Sequence, residues 1–465
     1  MLNTIIQQSA EKFISGIEKI FTETIDINEI DNKIQGVIKE VSCDLVSARL
    51  EEIDAAIVAD ESGRANAGIT IHRRRDTRVI EMKIGELKFR RAYYKVKSTG
   101  EYVYLLDRVA GIEKNERINR GLSEAMANAA IEMSYRQSVL MAAEGRFTTQ
   151  TVMNKLRRCE IVPVEIKNVK KIKYLHVDAD EDHITLRGGK KSEVKLVSIY
   201  EGIEKTGERG ECIGIFHVSG YGMEPEVLWE NVLTEIERRY DFDDDAVIYL
   251  HGDGALWIKS GVEELPFCKF VLDPYHKNKT IRVMLVGCED KDVKKKIYKA
   301  LYKADTIQLA QARDELIAGQ PERGDKIKEA YEYLESNIDA IHIRDIDPEA
   351  KNGGCTEPHI SNVLSRRLSS RPMAWSDKTL RVMVPALATK NGVRMLPKDS
   401  PNPSTIAMQN MVGDISGRIE YKPNKMPWGD NPDFIGNIAV SSNRHNYLQI
   451  ALNSLAHDDP RGLVG

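Results

Sequence analysis

One stretch constrains the fold of this chain more than any other: Tyr174-Leu175-His176-Val177-Asp178-Ala179-Asp180, running on through Glu181-Asp182-His183-Ile184-Thr185-Leu186. Leu175, Val177 and Ala179 alternate with Tyr174, His176, Asp178 and Asp180, which is the period of a β-strand with acids on one face and apolar residues on the other. A carboxylate within a core strand is costly unless a cation, a proton or a metal answers it. An edge strand with one wet face would carry the same pattern, so the segments downstream decide between the two.

Two more strands follow closely, at 194–200 and 212–218, and the short turn-rich links between them fit an antiparallel meander. A helix is expected over 224–240, with Val227, Leu228, Val232, Leu233 and Ile236 on one side. Ala246 to Leu250 is a near-continuous apolar run, as in a central parallel strand, and ends in His251-Gly252-Asp253-Gly254. After a short helix over 255–262, the strand 267–272 ends in Asp273-Pro274-Tyr275-His276. The order β-β-β-α-β-α-β-α is that of the ribonuclease H fold. Charged helical segments at 291–304, 307–318 and 326–338 then have enough apolar spacing to pack as an all-helical insertion over about 278–350. Asn352-Gly353-Gly354 ends it, and Cys355-Thr356-Glu357-Pro358 opens a new helix with Thr356 as N-cap and proline in the first turn.

The expected class is therefore α/β, with a catalytic domain over 170–385 preceded by a helical and β-rich region. Residues 1–65 read as an amphipathic helical lead-in. Over 66–112, Arg73-Arg74-Arg75, Arg90 and Arg91 are among cations interleaved with Phe89, Tyr93, Tyr94 and Tyr104, which suits a phosphate backbone. Over 113–165, a short helix from Ser134, a Gly145 turn and a polar-fronted helix from Thr148 make a helix-turn-helix pattern. Arg136, Thr148, Thr149, Gln150 and Asn154 are candidates for bases or phosphates, with Lys155, Arg157 and Arg158 supplying charge. The tail, 386–465, holds prolines, basic residues and a late helix over 445–456, with no assignable chemistry.

Composition qualifies this picture. The formal net charge of −4 argues against a nucleic-acid binder, yet segregated charge makes the global value a weak guide. An apolar fraction of 42% and a charged fraction of 30% belong to a soluble globular chain, and its 465 residues exceed a single core. No apolar run reaches the roughly 18 residues of a spanning helix, and no leader pattern opens the chain, so a cytoplasmic protein is expected, nucleoid-associated if it acts on DNA. The six cysteines are scattered without metal-ligand spacing and read as free thiols.

In a ribonuclease H topology the first and fourth strands are central neighbours and the last helix crosses them, so Asp178, Asp253 and Glu357 converge. Asp180 lies on the same strand face as Asp178 and is the alternative first carboxylate. Converging carboxylates attract hard divalent cations: Mg²⁺ takes one or two carboxylates plus water and substrate phosphate, with Mn²⁺ as a substitute. Two such ions about 4 Å apart serve phosphodiester cleavage and transfer.

Several stretches together resemble a family: Gly85-Glu86-Leu87 with Arg90-Arg91-Ala92-Tyr93-Tyr94, Ser134-Tyr135-Arg136 with Thr148-Thr149-Gln150-Thr151-Val152, Val177 to His183, His251 to Ile258, and Cys355-Thr356-Glu357 through Met373. The chain resembles bacterial insertion-sequence transposases of the Mutator-like class, most closely the ISLre-two family, from about residue 70 to 385. That resemblance implies a DDE transposase acting through Asp178, Asp253 and Glu357 on two Mg²⁺ ions, with Asp273 and His276 matching an accessory Asp/Cys-x-x-His pattern. It implies double-stranded DNA partners, terminal inverted repeats and target, and at least a homodimer to bring two ends together. A DNA-binding regulator without catalysis, and a nuclease without strand transfer, are the rival expectations.

Overall fold

The computed structural model describes residues 2–206 and 209–396, so the helix expected over 445–456 lies outside the described residues. The chain up to Ser123 forms one compact unit and Glu124–Leu396 another.

In the first unit, α1 (Leu2–Glu23) and α2 (Ile27–Ala59) pack together, and α3 (Glu61–Asn66) leads into the sheet. The basic stretch folds as β1 (Ile69–Met82), β2 (Gly85–Val96) and β3 (Tyr102–Val103), all antiparallel, followed by α4 (Leu105–Val109). Apolar alternation on β2 buries Leu87, Phe89, Ala92, Tyr94 and Val96, while Ile57 of α2 covers part of that face. Asp54 on α2 accepts the Ala92 N–H at 3.0–3.1 Å, which pins helix to strand.

Helix α5 (Arg120–Glu132) crosses from the first unit into the second, which continues with α6 (Tyr135–Ala143), α7 (Thr149–Leu156) and β4 (Cys159–Ile161). Ser134 caps α6 by accepting the Gln137 N–H, and Thr148 caps α7 by accepting the Thr151 N–H. Between them Glu144 and Gly145 adopt left-handed conformations, φ 51° and 79°, that reverse the chain.

Next come β5 (Lys170–Thr185), β6 (Lys191–Tyr200), the two-stranded ribbon β7 (Gly202–Thr206) and β8 (Arg209–Ile213), β9 (Phe216–Gly220), α8 (Pro225–Glu237) and β10 (Tyr240–Gly252). After the short α9 (Leu256–Lys259) and α10 (Gly261–Glu264), β11 (Cys268–Leu272) completes a five-stranded sheet in the order β11-β10-β5-β6-β9. The first three of these strands in sequence are antiparallel, and β10 and β11 are parallel to β5. The strand expected at 212–218 is in fact two: Gly214, at φ 64°, turns the chain out of the ribbon before β9 begins. Leu175, Val177 and Ala179 face Leu228, Trp229, Val232 and Ile236 of α8, and burying each aliphatic side chain there contributes about 1.5–3 kcal/mol.

The insertion is α11 (Pro274–Leu285), α12 (Lys291–Lys303), α13 (Thr306–Gly319), α14 (Gly324–Ser336) and α15 (Ile338–Ile346), packed around Ile281, Ile297, Leu309, Ile327 and Leu334. The chain returns through α16 (Thr356–Ile360), a π-helical turn at Ser361–Ser365, α17 (Arg366–Leu368), α18 (Asp377–Thr389) and β12 (Val393–Met395). β12 pairs with β4, and α18 shares a core with Ala127, Ile131 and Leu156. The helix pair α6–α7 is thus built into the α/β unit, which extends to residue 396.

Candidate functional site

The register of β5 against β10 positions the site. Tyr174 pairs with Val247 and Asp178 with His251, so two residues further along each strand Asp253 comes level with Asp180. The Asp180 carboxyl is pushed up to about 6: burial is the largest cause, the Glu181 N–H opposes it at 2.8 Å, and the Asp253 and Glu357 carboxylates add repulsion. Asp253 follows the last residue of β10, and its Oδ1 accepts the Ala255 N–H at 2.8 Å. Glu357 stands exposed in the first turn of α16. One oxygen each of Asp180 and Asp253, and both of Glu357, take no protein hydrogen bond among the described residues.

Asp178 lives in a different environment. It is 1% exposed. The Tyr200 hydroxyl lies 3.0 Å from both its oxygens, and the N–H groups of Gly354 and Cys355 donate to it at 3.2 and 2.8 Å. His359 Nδ1 lies 3.5 Å away. Burial alone would raise the Asp178 pKa; the His359 contact, the His251 and His359 charges and the Tyr200 hydroxyl outweigh it and hold it below the ordinary carboxylate range. The expected grouping of Asp178 with Asp253 and Glu357 is therefore corrected. Asp180 is the strand carboxylate that faces the other two, and Asp178, its oxygens spent on internal donors, anchors the loop that carries Glu357.

Beside Asp178, His176 Nδ1 and His251 Nε2 lie 3.2 Å apart and fully buried. A Cβ on Gly353 would fall 2.3 Å from His251 Nε2 and 2.6 Å from His176 Nδ1, so only glycine lets the loop close over the pair. Burial lowers His176 to about 3 and likewise His217, whose Nδ1 lies 2.8 Å from Ser198 Oγ, to about 3. Both rings are neutral when folded and take protons near pH 6.5 once unfolded. Stability should hold above about pH 6.5 and fall by up to about 1.4 kcal/mol per pH unit per ring on acidification toward pH 4, against a smaller opposite contribution from Asp180. Urea midpoints measured between pH 7.5 and 4.5 check this; a flat profile contradicts it.

Asp273 is a structural cap. Its Oδ1 accepts the Tyr275 and His276 N–H groups at 2.8 and 3.4 Å, and its Oδ2 accepts the Thr356 hydroxyl at 3.4 Å, joining the end of β11 to the start of α16. Cys355, not Thr356, occupies the N-cap position, because the threonine hydroxyl is turned to Asp273. His276 faces the carboxylates: its Nδ1 lies 3.5 Å from Asp273 Oδ1, a contact that raises its pKa, burial opposes this, and the charges of Asp273, Asp253 and Asp180 raise it further.

Among the described residues, Glu181, His183 and Glu193 are the one acidic or histidine group of three whose ligand atoms lie within 4.8 Å of one another; Asp180, Asp253 and Glu357 stand further apart than that. Its His183–Glu193 pair is exposed and 3.9 Å long, and Glu181 already accepts the Trp257 indole N–H at 2.8 Å.

The candidate DNA contacts divide sharply. Arg136, Thr149, Gln150 and Asn154 are exposed on α6 and α7, with Gln150 donating to Asn154 at 3.0 Å, while the Thr148 hydroxyl is used as the cap. Lys155 and Arg158 are half-buried. Arg90 is exposed and paired with Glu51. Arg91 is corrected: it is buried in an ion pair with Asp107, its guanidinium 3.6 Å from the centre of the Tyr104 ring. Arg157 is corrected as well, since it points inward and donates to Thr379 and Ser376 at 3.0 and 2.6 Å.

Sequence reasoning missed Tyr200, Gly353 and His359. Asn352-Gly353-Gly354 was a visible signal, and His359 lies two residues past Glu357, but nothing in the linear pattern points either at Asp178.

The family model described as an uncharacterised protein family, UPF0236, matches residues 20–396. A UPF0236 protein of Caldanaerobacter subterraneus subsp. tengcongensis is 33% identical over 398 residues, spanning 83% of this chain and 84% of that protein. Another from the same organism, 32% identical over 398 residues (83% and 84%), has a name that joins eleven locus labels. A UPF0236 protein in the vanSb 3′ region of Streptococcus gallolyticus is 25% identical over 402 residues, spanning 82% and 86%. With the family model covering most of its length and relatives at 33% identity along more than four fifths of it, the chain belongs to the UPF0236 family.

Proposed function

We propose that the protein is a metal-dependent DNA transposase whose reactive centre is Asp180, Asp253 and Glu357. The observation that carries this reading is the register that sets Asp180 level with Asp253 on two parallel central strands, with Glu357 brought back by a helix beyond a long insertion and the charges of both acting on Asp180. The sheet order, three antiparallel strands followed by two parallel ones added beside the first, supports a ribonuclease H-like reading. A relative whose one name joins eleven loci in one genome fits an element that copies itself.

The donor set fits hard divalent ions, because its open oxygens are carboxylate and the charges of Asp253 and Glu357 meet at Asp180, where the His276 imidazole is the one opposing charge among the causes acting on it. Asp180, Asp253 and Glu357 would hold Mg²⁺ or Mn²⁺, which when bound supplies charge stabilisation and activation at a phosphodiester. Around it, Asp178 fixes the 353–355 loop, Asp273 fixes the start of α16, and His276 sets an imidazole beside the carboxylates, whose charges raise its pKa. The exposed polar front of α7 with Arg136 would meet duplex DNA, and oligomerisation would bring two ends together.

The test is incubation of purified protein with Mn²⁺ or Mg²⁺ and DNA carrying the element's ends, beside Glu357→Gln. Strand-transfer products present for the wild type and absent for the variant are expected. Cleavage without joining would favour a nuclease, and binding without cleavage in both would leave a regulator.

A further inference from the structure

Two arginines of the second unit, Arg187 and Arg367, line a place that the metal site does not use, and a third, Arg157, donates to two hydroxyls of its wall. A cavity of about 220 Å³ lies between the starts of α6 and α18, with Tyr135, Met153, Arg187, Arg367, Trp375 and Thr379 in its wall. It is built into the fold: Arg187 N–H donates to Trp375 O at 2.8 Å, and Trp375 N–H donates to Thr185 O at 2.9 Å, so the wall is fastened to the end of β5.

None of the three guanidiniums is matched by a carboxylate within ion-pair distance among the described residues. Arg367 donates to the Ala130 and Ile131 carbonyls at 3.0 and 3.1 Å, lying over the Trp375 ring at 4.9 Å. Arg157 donates to the Ser376 and Thr379 hydroxyls. Arg187 has a thioether, Met153 Sδ at 3.8 Å, as its side-chain partner. Arg187 and Arg367 share the wall with Tyr135, and Arg157 reaches it through the Ser376 and Thr379 hydroxyls; all three charges oppose the rise that burial gives the Tyr135 hydroxyl. The nearby acids do little to offset them: Asp377 is paired with Arg381, and Glu132 is exposed, its charge a minor influence on Arg367 beside burial. An arginine fork binds phosphate through paired donors. The cavity is smaller than the ~300–1,000 Å³ typical of drug-sized ligands, so it suits a single phosphate group.

We infer that this cavity is a phosphate-binding pocket, with Arg187 as its principal donor, that seats one backbone phosphodiester of the DNA lying along α6 and α7. Ser134, which caps α6 and is exposed, belongs to the same wall while Met153 of α7 closes it from the buried side, so a strand that meets the start of α6 would run past its mouth. Such a contact sets the register of the duplex without reading its sequence. The inference rests on the DNA-acting reading above.

The experiment measures binding of the full-length protein to duplex DNA, without divalent metal, over a series of salt concentrations. Arg187→Gln should weaken binding several-fold at moderate salt and reduce the slope of log affinity against log salt by about 0.9, one phosphate contact. Arg187→Lys should retain the slope, and Arg381→Gln, on the exposed side of α18, should alter neither quantity. An unchanged slope in folded Arg187→Gln overturns the pocket while leaving the proposed function standing. If the wild type binds no DNA, the proposed function itself fails. Stabilisation by inorganic phosphate over chloride at matched ionic strength, lost in Arg187→Gln, would then mark a small-anion site and overturn the assignment to DNA.

Discussion

Asp180→Asn is expected to abolish metal-dependent DNA cleavage, with a loss of about a thousandfold or more, while the protein stays folded and still binds DNA. The magnitude follows from the several kcal/mol that a metal centre contributes to a transition state, each 1.4 kcal/mol being about tenfold in rate. Asp180 is the carboxylate most raised by its surroundings at this site, and removing its charge relieves repulsion from Asp253 and Glu357. The variant should therefore be no less stable than the wild type in the absence of metal, and slightly more stable at neutral pH. Urea unfolding beside a cleavage assay separates the two effects. Retained cleavage, or a variant that fails to fold, would count against the role given to Asp180.

The opposite pairing is expected two residues earlier. Asp178→Ala should lose on the order of 3 kcal/mol or more of stability, because Tyr200, Gly354 N–H and Cys355 N–H would each lose a buried charged acceptor. Its effect on cleavage should follow from the freed loop and the displaced Glu357. Cleavage should accordingly recover in part at lower temperature, which Asp180→Asn should not do. A loss below about 1 kcal/mol in urea unfolding would contradict the anchoring role.

The difference between these neighbours explains what the sequence could and could not convey. Strand order was legible because apolar runs such as Ala246–Leu250 and turn signals such as Gly252-Asp253-Gly254 are local. The insertion was legible for the same reason, its helices having their own apolar stripe. Asp178 and Asp180 share a face by alternation, so periodicity cannot divide them. What divides them is the parallel register that sets Asp178 against His251 and brings Asp253 level with Asp180. The loop at Gly353, 175 residues beyond Asp178, then buries one and leaves the other facing its partners. Arg91 and Arg157 were misplaced for a similar reason: cationic side chains in a basic stretch look alike until Asp107 and the hydroxyls of Ser376 and Thr379 claim them.

The central claim is that Asp180, Asp253 and Glu357 hold a divalent ion together. Iron(II) substituted for Mg²⁺, with ascorbate and peroxide, cuts the backbone next to bound metal, and mass spectrometry locates the cuts. Cuts are predicted in three separated segments, around residues 180, 253 and 357, suppressed by excess Mg²⁺ and lost in Asp180→Asn. Cuts confined to the neighbourhood of Glu181, His183 and Glu193, with none near 253 or 357, would contradict the account.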